Sequence, residues 1–262
     1  MAINVSPQQQ NLDLVFSNIV YWIDFYQRDY KWTKDPVVRL LDDVFYKFNI
    51  EYEGKKDLDP KSEVVVAKYA WYYLNTYVTN IVNGKTYVVD GQQRLTTLSL
   101  ILIKLYHLSD KHNSGLKKWI ENKIVGTSGF EQEFWMNHVR HKKVQDHLLR
   151  EVEVKKIDVS AGITSKNMVD NFVEISKYLD SELTDKHKFE TFVFYFLHRL
   201  VLINLLVDQT DVPMVFEVIN DRGVRLRPYE ILKGKLLGQI DKLELDQGGF
   251  NESWDTVVAT LN

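Results

Sequence analysis

The sequence predicts an α+β fold: a small mixed β-sheet core with helices, followed by a mainly helical region. A Val-, Tyr- and Thr-rich stretch over residues 64–82 turns at Asn83-Gly84 and returns through residues 85–89. Asn-Gly is the strongest two-residue hairpin signal, because a type I′ turn needs positive φ at both positions. Apolar stripes at helical spacing occupy much of the remainder. The length of 262 residues, 45% of them hydrophobic and only 12 Gly and 5 Pro, allows a sizeable core without disulfide or metal staples. At about 150 residues per domain, that length fits one large domain or two small ones. The change of pattern places a core at residues 10–110 and a helical region at 111–262 that packs on it.

Taken in order, the opening MAINVSPQQQNLDLVF has no basic n-region and no long apolar run, so it is not a signal peptide. A helix is signposted at Asp35: Asp35 can cap, Pro36 suits the first helical position, and Val37, Leu40, Leu41, Val44, Phe45 and Phe48 form a stripe. Residues 51–61 are charged and turn-rich, hence a surface loop. After the hairpin, Asp90-Gly91 ends the second strand and residues 95–108 read as a buried helix. Helical spacing recurs near 114–125, 130–152, 165–181 and 186–197. Residues 200–207 (LVLINLLV) fit a buried strand or a continued helix, and periodicity does not decide. Asp211 caps a short helix through Val218 with Gly223 as its stop, and Arg227-Pro228 opens another through Ile240. Residues 246–250 are a loop, and a last amphipathic segment begins at Ser253. The chain ends inside that segment, which fits a helical region that continues further. There is no internal repeat and no Gly/Ser linker.

Charge and composition exclude several classes. Lys and Arg number 33 against 36 acids, a net −3, so no global basic field marks the chain for nucleic acid and a polyanion must find a local patch. The absence of cysteine removes disulfide scaffolds, Cys-ligated zinc, iron–sulfur clusters and thiol nucleophiles, and suits a reducing cytoplasm. The longest apolar run, 189–207, is broken by Glu190, His198, Arg199 and Asn204, so no membrane span and no membrane partner are expected. His138 and His141 lie three apart near His147 without an acidic pair to complete a metal site, and read as surface residues.

Three clusters can carry chemistry. In YVVDGQQRLTTL, residues 87–98, a strand delivers Asp90, Gln92, Gln93, Arg94, Thr96 and Thr97 to the start of a helix. A helix N-terminus offers unpaired N–H groups to phosphate, Gly91 lets backbone approach closely, and Arg94 is a forked cation matched to phosphate oxygens. Asp90 could hold a metal-bound water or a ribose hydroxyl. The Walker A cradle and its Lys are absent. Turn plus cap also explains Asp-Gly on purely structural grounds. In IDFYQRDYKW, residues 23–32, Gln27 and Arg28 are interleaved with Phe25, Tyr26, Tyr30 and Trp32, which suits base stacking beside a phosphate contact, or a strand edge with core aromatics. In residues 216–235, Arg222, Arg225, Arg227, Lys233 and Lys235 outweigh Asp221 and Glu230, forming a basic patch in an acidic chain. Residues 69–73 (YAWYY) could stack bases, with sheet core the plainer reading.

Together these stretches resemble the GmrSD-type restriction endonuclease N-terminal domain family. VVDGQQRLTTL resembles its DGQQR signature. IDFYQRDYKW resembles I-P-x-Y-Q-R-x-Y-x-W with Asp24 in place of Pro, and YYLNTYVT resembles Y-F-L-G-S-I-V with Asn75 in place of Gly. FEVINDRGVRLRPYEILKGKLL resembles F-x-x-I-N-x-x-G-x-x-L-x-x-x-D-I-L-K with Glu230 in the acidic place. Order and spacing agree from about Val20 to Leu237. The resemblance implies a core similar to the ParB/sulfiredoxin fold and a place in an antiphage system that recognises modified DNA. It also implies binding and hydrolysis of a nucleoside triphosphate with Mg2+. By that carry-over Asp90, Gln92, Gln93 and Arg94 are catalytic, with Asp90 as metal ligand. Gly91, Tyr26, Gln27 and Arg28 are nucleotide-binding by the same carry-over, Thr96 is a further nucleotide-binding candidate in its cluster, and the basic patch makes Asn220, Arg222, Arg225, Arg227 and Lys233 candidates to contact DNA or phosphate. The implied partners are modified DNA and a His-Asn-His nuclease domain or subunit, which this sequence lacks; a homodimer is left open. Other readings are a nucleotide- or DNA-binding adaptor without turnover, a ParB-like metal-dependent nuclease, and a structural helical protein.

Overall fold

The computed structural model describes residues 6–23, 29–60, 67–128, 131–212 and scattered positions from 214 onward. In chain order the elements are β1 (Ser6–Asn11), α1 (Leu12–Val15), β2 (Tyr21–Ile23), α2 (Lys34–Glu53), β3 (Tyr72–Val82), β4 (Lys85–Asp90) and α3 (Gln92–Lys111). They continue as α4 (Lys117–Glu121), β5 (Val125–Ser128), β6 (Glu131–Phe134), β7 (Met136–Asn137), α5 (Lys142–Leu149), α6 (Ile163–Glu182), α7 (Lys186–Arg199) and β8 (Leu200–Leu206). The fold is α+β, as the sequence predicts.

Six strands form one mixed sheet in the order β1-β8-β3-β4-β2-β7, and β5 and β6 make a separate hairpin. β1–β8 and β3–β4 are antiparallel, whereas β3–β8, β2–β4 and β2–β7 are parallel. The β3–β4 turn takes the expected form, with φ of 51° at Asn83 and 75° at Gly84. Within the run 200–207, ambiguous by periodicity, Leu200–Leu206 are a strand lying between β1 and β3. Its near-continuous apolar run suits a strand with neighbours on both sides. Sheet and helices therefore do not separate at residue 110: β7 and β8 complete the sheet from beyond it, and one apolar core runs from Leu12 to Leu202.

The helix expected over 130–152 is a correction. The segment forms β6, β7 and a 3-10 turn, and only Lys142–Leu149 is α-helical. Trp135 explains the change: its backbone N–H donates to Ile124 O at 3.0 Å and its indole Nε1 donates to Asn122 O at 2.7 Å. Gly126 accommodates the ring, since a Cβ there would stand 2.0 Å from Trp135 Cζ2. Of 114–125, only Lys117–Glu121 is helical. α2 begins one residue before Asp35 with Thr33 as its N-cap, so Asp35 and Pro36 lie in the first turn. Its stripe packs as read, with Phe45 stacked on Phe192 of α7 at 4.3 Å and Phe48 edge-on to the same ring. Of the elements expected beyond Val215 only scattered positions are described, and the rest lie outside the described residues.

Candidate functional site

The strand-to-helix turn at residues 90–94 is built around Gly91. β4 ends at Asp90, opposite Val78, where the β3–β4 register shifts. Gly91 has φ 92° and ψ 1°, the left-handed region, and a Cβ there would lie 2.7 Å from Tyr77 Cβ and 3.3 Å from Tyr77 Cα. Torsion and packing both require glycine. α3 starts at Gln92 with Gly91 as N-cap, so no side chain caps it, and its first turn holds no acid. Asp90 is therefore not the helix cap. The positive end of a 20-residue helix faces the turn with no N-cap side chain to accept from it among the described residues.

Arg94, one turn into α3, is half-buried and makes no ion pair among the described residues. Burial lowers its pKa below the ordinary guanidinium value, while Asp90, Tyr73 and Tyr72 act in the opposite direction. Asp90 is thus near enough to feel but does not neutralise it. A partly desolvated guanidinium beside uncapped helix N–H groups favours an anion.

The two glutamines, both buried, differ in use. Gln93 Oε1 accepts from the backbone N–H of Lys31 at 2.7 Å and of Trp32 at 3.0 Å, and its Nε2 donates to Asp29 O at 2.9 Å. Its amide holds the chain at 29–32. Gln92 is the amide of the pair not committed to that backbone. Thr96, a nucleotide-binding candidate by sequence, is fully buried with its hydroxyl 2.9 Å from His138 Nε2, so it serves the interior.

Residues missed by sequence reasoning complete this framework. On α6, Thr164 accepts from Tyr30 N–H and donates to Asp29 Oδ1, both at 3.0 Å. Asn167 donates to Tyr30 O at 2.8 Å, and Asn171 donates to Trp32 O at 2.7 Å and Tyr30 OH at 3.0 Å. The Tyr30 hydroxyl also meets Thr97 Oγ1 at 2.8 Å, and burial raises its pKa to about 12. The available signal was polar residues three and four apart on the inward face of a helix. His138 and His141 correct the surface reading: His138 is buried, and His141 Nδ1 lies 2.8 Å from Ser165 Oγ. Burial, then the neighbouring His141, lowers the His138 pKa to about 3.

The structure therefore brings Asp90, Gly91, Gln92 and Arg94 together at one turn and puts Gln93 and Thr96 to work behind it. Tyr26, Gln27 and Arg28 lie outside the described residues, as do Asn220, Arg222, Arg225, Arg227 and Lys233. Among the described residues no group of three or more His, Cys, Asp or Glu side chains is placed to hold a metal, and no helix is long and apolar enough to cross a membrane. The family described as GmrSD restriction endonuclease, N-terminal domain, matches residues 12–237. No curated protein matches the chain.

Proposed function

The chain belongs to the GmrSD restriction endonuclease N-terminal domain family, and from that premise we propose that it is the nucleoside-triphosphate-binding and hydrolysing sensor domain of a modification-dependent restriction system. The observation that carries this reading is Arg94, a half-buried cation with no ion pair among the described residues, at the uncapped start of α3. Phosphoryl transfer asks mainly for positioning and charge neutralisation. Gly91 lets phosphate oxygens approach the backbone, the α3 N–H groups and Arg94 offset their charge, and Gln92 orients the attacking water. Gln93 holds the adjoining 29–32 segment in place. Mg2+ is commonly held by one or two carboxylates together with substrate phosphates, which the single acid at this turn suits. Asp90 would hold it, and the ion would supply charge neutralisation on the phosphates.

Recognition of modified DNA falls in this reading to the helical region and to Asn220, Arg222, Arg225, Arg227 and Lys233. The 29–32 segment, bonded to both α3 and α6, gives the turn a physical connection to that region. Strand cleavage is assigned to a His-Asn-His nuclease domain or subunit, and the setting to the cytoplasm. The test is phosphate release from ATP, GTP, CTP and UTP with Mg2+, with and without DNA, in wild type and Arg94→Ala. Turnover that falls by on the order of a hundredfold in the variant is expected. A folded wild type that turns over none of the four overturns hydrolysis.

A further inference from the structure

Two aromatic rings stand in solvent at one end of β3. Trp71, immediately before the strand, is 61% exposed, and Tyr73 is 42% exposed. Alternation puts side chains 71 and 73 on one face of the extended chain. The bulge between Tyr73 and Asn75 then keeps Thr76 on that face: Tyr73 pairs with Val201 and Thr76 with Ile203, two residues apart on β8. The Tyr73 hydroxyl lies 2.8 Å from Thr76 Oγ1, so its ring leans along the strand toward the 90–94 turn. At the other end of that bond, the Thr76 carbonyl oxygen comes within 3.9 Å of the position a Gly91 Cβ would take. Trp71, Tyr73 and Thr76 thus share one face over roughly 13–16 Å at strand spacing, comparable to the reach of an extended nucleoside triphosphate, and Gly91 stands beside the strand backbone at Thr76 and Tyr77, at the far end of that span. Arg94 feels both Tyr73 and Tyr72, which agrees with its nearness to this end of β3.

We propose that Trp71 and Tyr73 form the nucleobase subsite of the phosphate site at Gly91 and Arg94, so that a nucleoside triphosphate lies along β3 with its base on the Trp71 ring. This inference rests on the nucleotide reading above. Every base has a π-face, so an aromatic platform without fixed hydrogen-bonding groups tolerates several bases and favours the larger purines.

The experiment is calorimetric titration of the full chain with the β,γ-imido analogues of ATP and GTP, and separately with inorganic tripolyphosphate. Wild type is compared with Trp71→Ala, Trp71→Phe and Arg94→Ala. Trp71→Ala is expected to weaken the analogues about tenfold, the size of one base–aromatic stack, and to leave tripolyphosphate unchanged. Trp71→Phe restores most of the loss, and Arg94→Ala weakens both ligands. Equal analogue affinity in Trp71→Ala and wild type overturns the subsite while leaving the phosphate site standing. A Trp71→Ala variant that loses affinity only for a single-stranded oligonucleotide also overturns it, assigning the rings to DNA. A wild type that binds neither ligand removes the phosphate site itself.

Discussion

Gly91 and Gly84 are both glycines with positive φ, yet their surroundings separate them. Gly84 has φ 75° and nothing within 4 Å of where an added methyl would stand, whereas Gly91 has φ 92° and the Tyr77 backbone in the way. Gly84→Ala is expected to cost only the left-handed penalty of roughly 1–2 kcal/mol. Gly91→Ala adds a backbone displacement and should cost at least ~1 kcal/mol more by urea denaturation; equal losses would show that Tyr77 yields freely. Gln93→Leu strands the N–H groups of Lys31 and Trp32 in a half-buried place, and about 2–4 kcal/mol of stability should go with them. A near-neutral Gln93→Leu in the same assay contradicts the clamp. The turn itself was legible, because strand, glycine and helix follow one another in sequence. The use of Gln93 was not, since its partners lie about sixty residues upstream. Asn75 shows a third case: its φ of 158° at the β3 bulge gives a backbone reason for the glycine that the resembling strand carries there.

At the scale of elements, α3 is anchored on two sides by polar side chains from elsewhere in the chain. His138, reached just after β7, meets Thr96, and Asn171 of α6 meets the Tyr30 hydroxyl that also touches Thr97. The His138 link is pH-sensitive in a defined direction. Its folded-state pKa, about 3, lies below the ordinary histidine value near 6.5, so the unfolded chain takes up a proton first as pH falls. Its contribution is complete above pH 6.5 and is lost progressively between pH 6.5 and 3, at up to ~1.4 kcal/mol per pH unit. His138→Gln, which keeps a partner for Thr96, should lose less stability than wild type between about pH 7.5 and 5 in paired denaturation curves. Parallel losses would show that His138 does not govern this range. The sequence signalled α2, α6 and α7 because each presents a regular apolar stripe to the core. It failed at β5–β7, where Trp135 and a two-residue parallel pairing with β2 override a helix-like pattern. β1 was invisible for a related reason: SPQQQN has no apolar alternation, and its strand state depends on β8.

For the molecule as a whole, the sheet draws β7 and β8 from beyond residue 110, and one apolar core holds residues from both sides of that position. Residues 1–110 expressed alone would leave β3 without β8, and Phe45 and Phe48 without Phe192. That fragment should show no cooperative thermal transition and no ordered near-UV dichroism. A sharp transition would restore the boundary. The mixed sheet and the helical content were legible from composition and period, but the completion of the sheet by β7 and β8 was not, because pairing partners far apart in sequence leave no local mark. The central place of β8 also sets a timetable for synthesis. β3 and β4 leave the ribosome well over a hundred residues before β8 does. At ordinary elongation rates the open edge of β3 waits on the order of ten seconds for its neighbour. During that interval the nascent hairpin offers a ladder of unpaired backbone groups to any other extended chain, so crowded polysomes and the chaperones that shield them enter the yield of this protein as directly as its final contacts do.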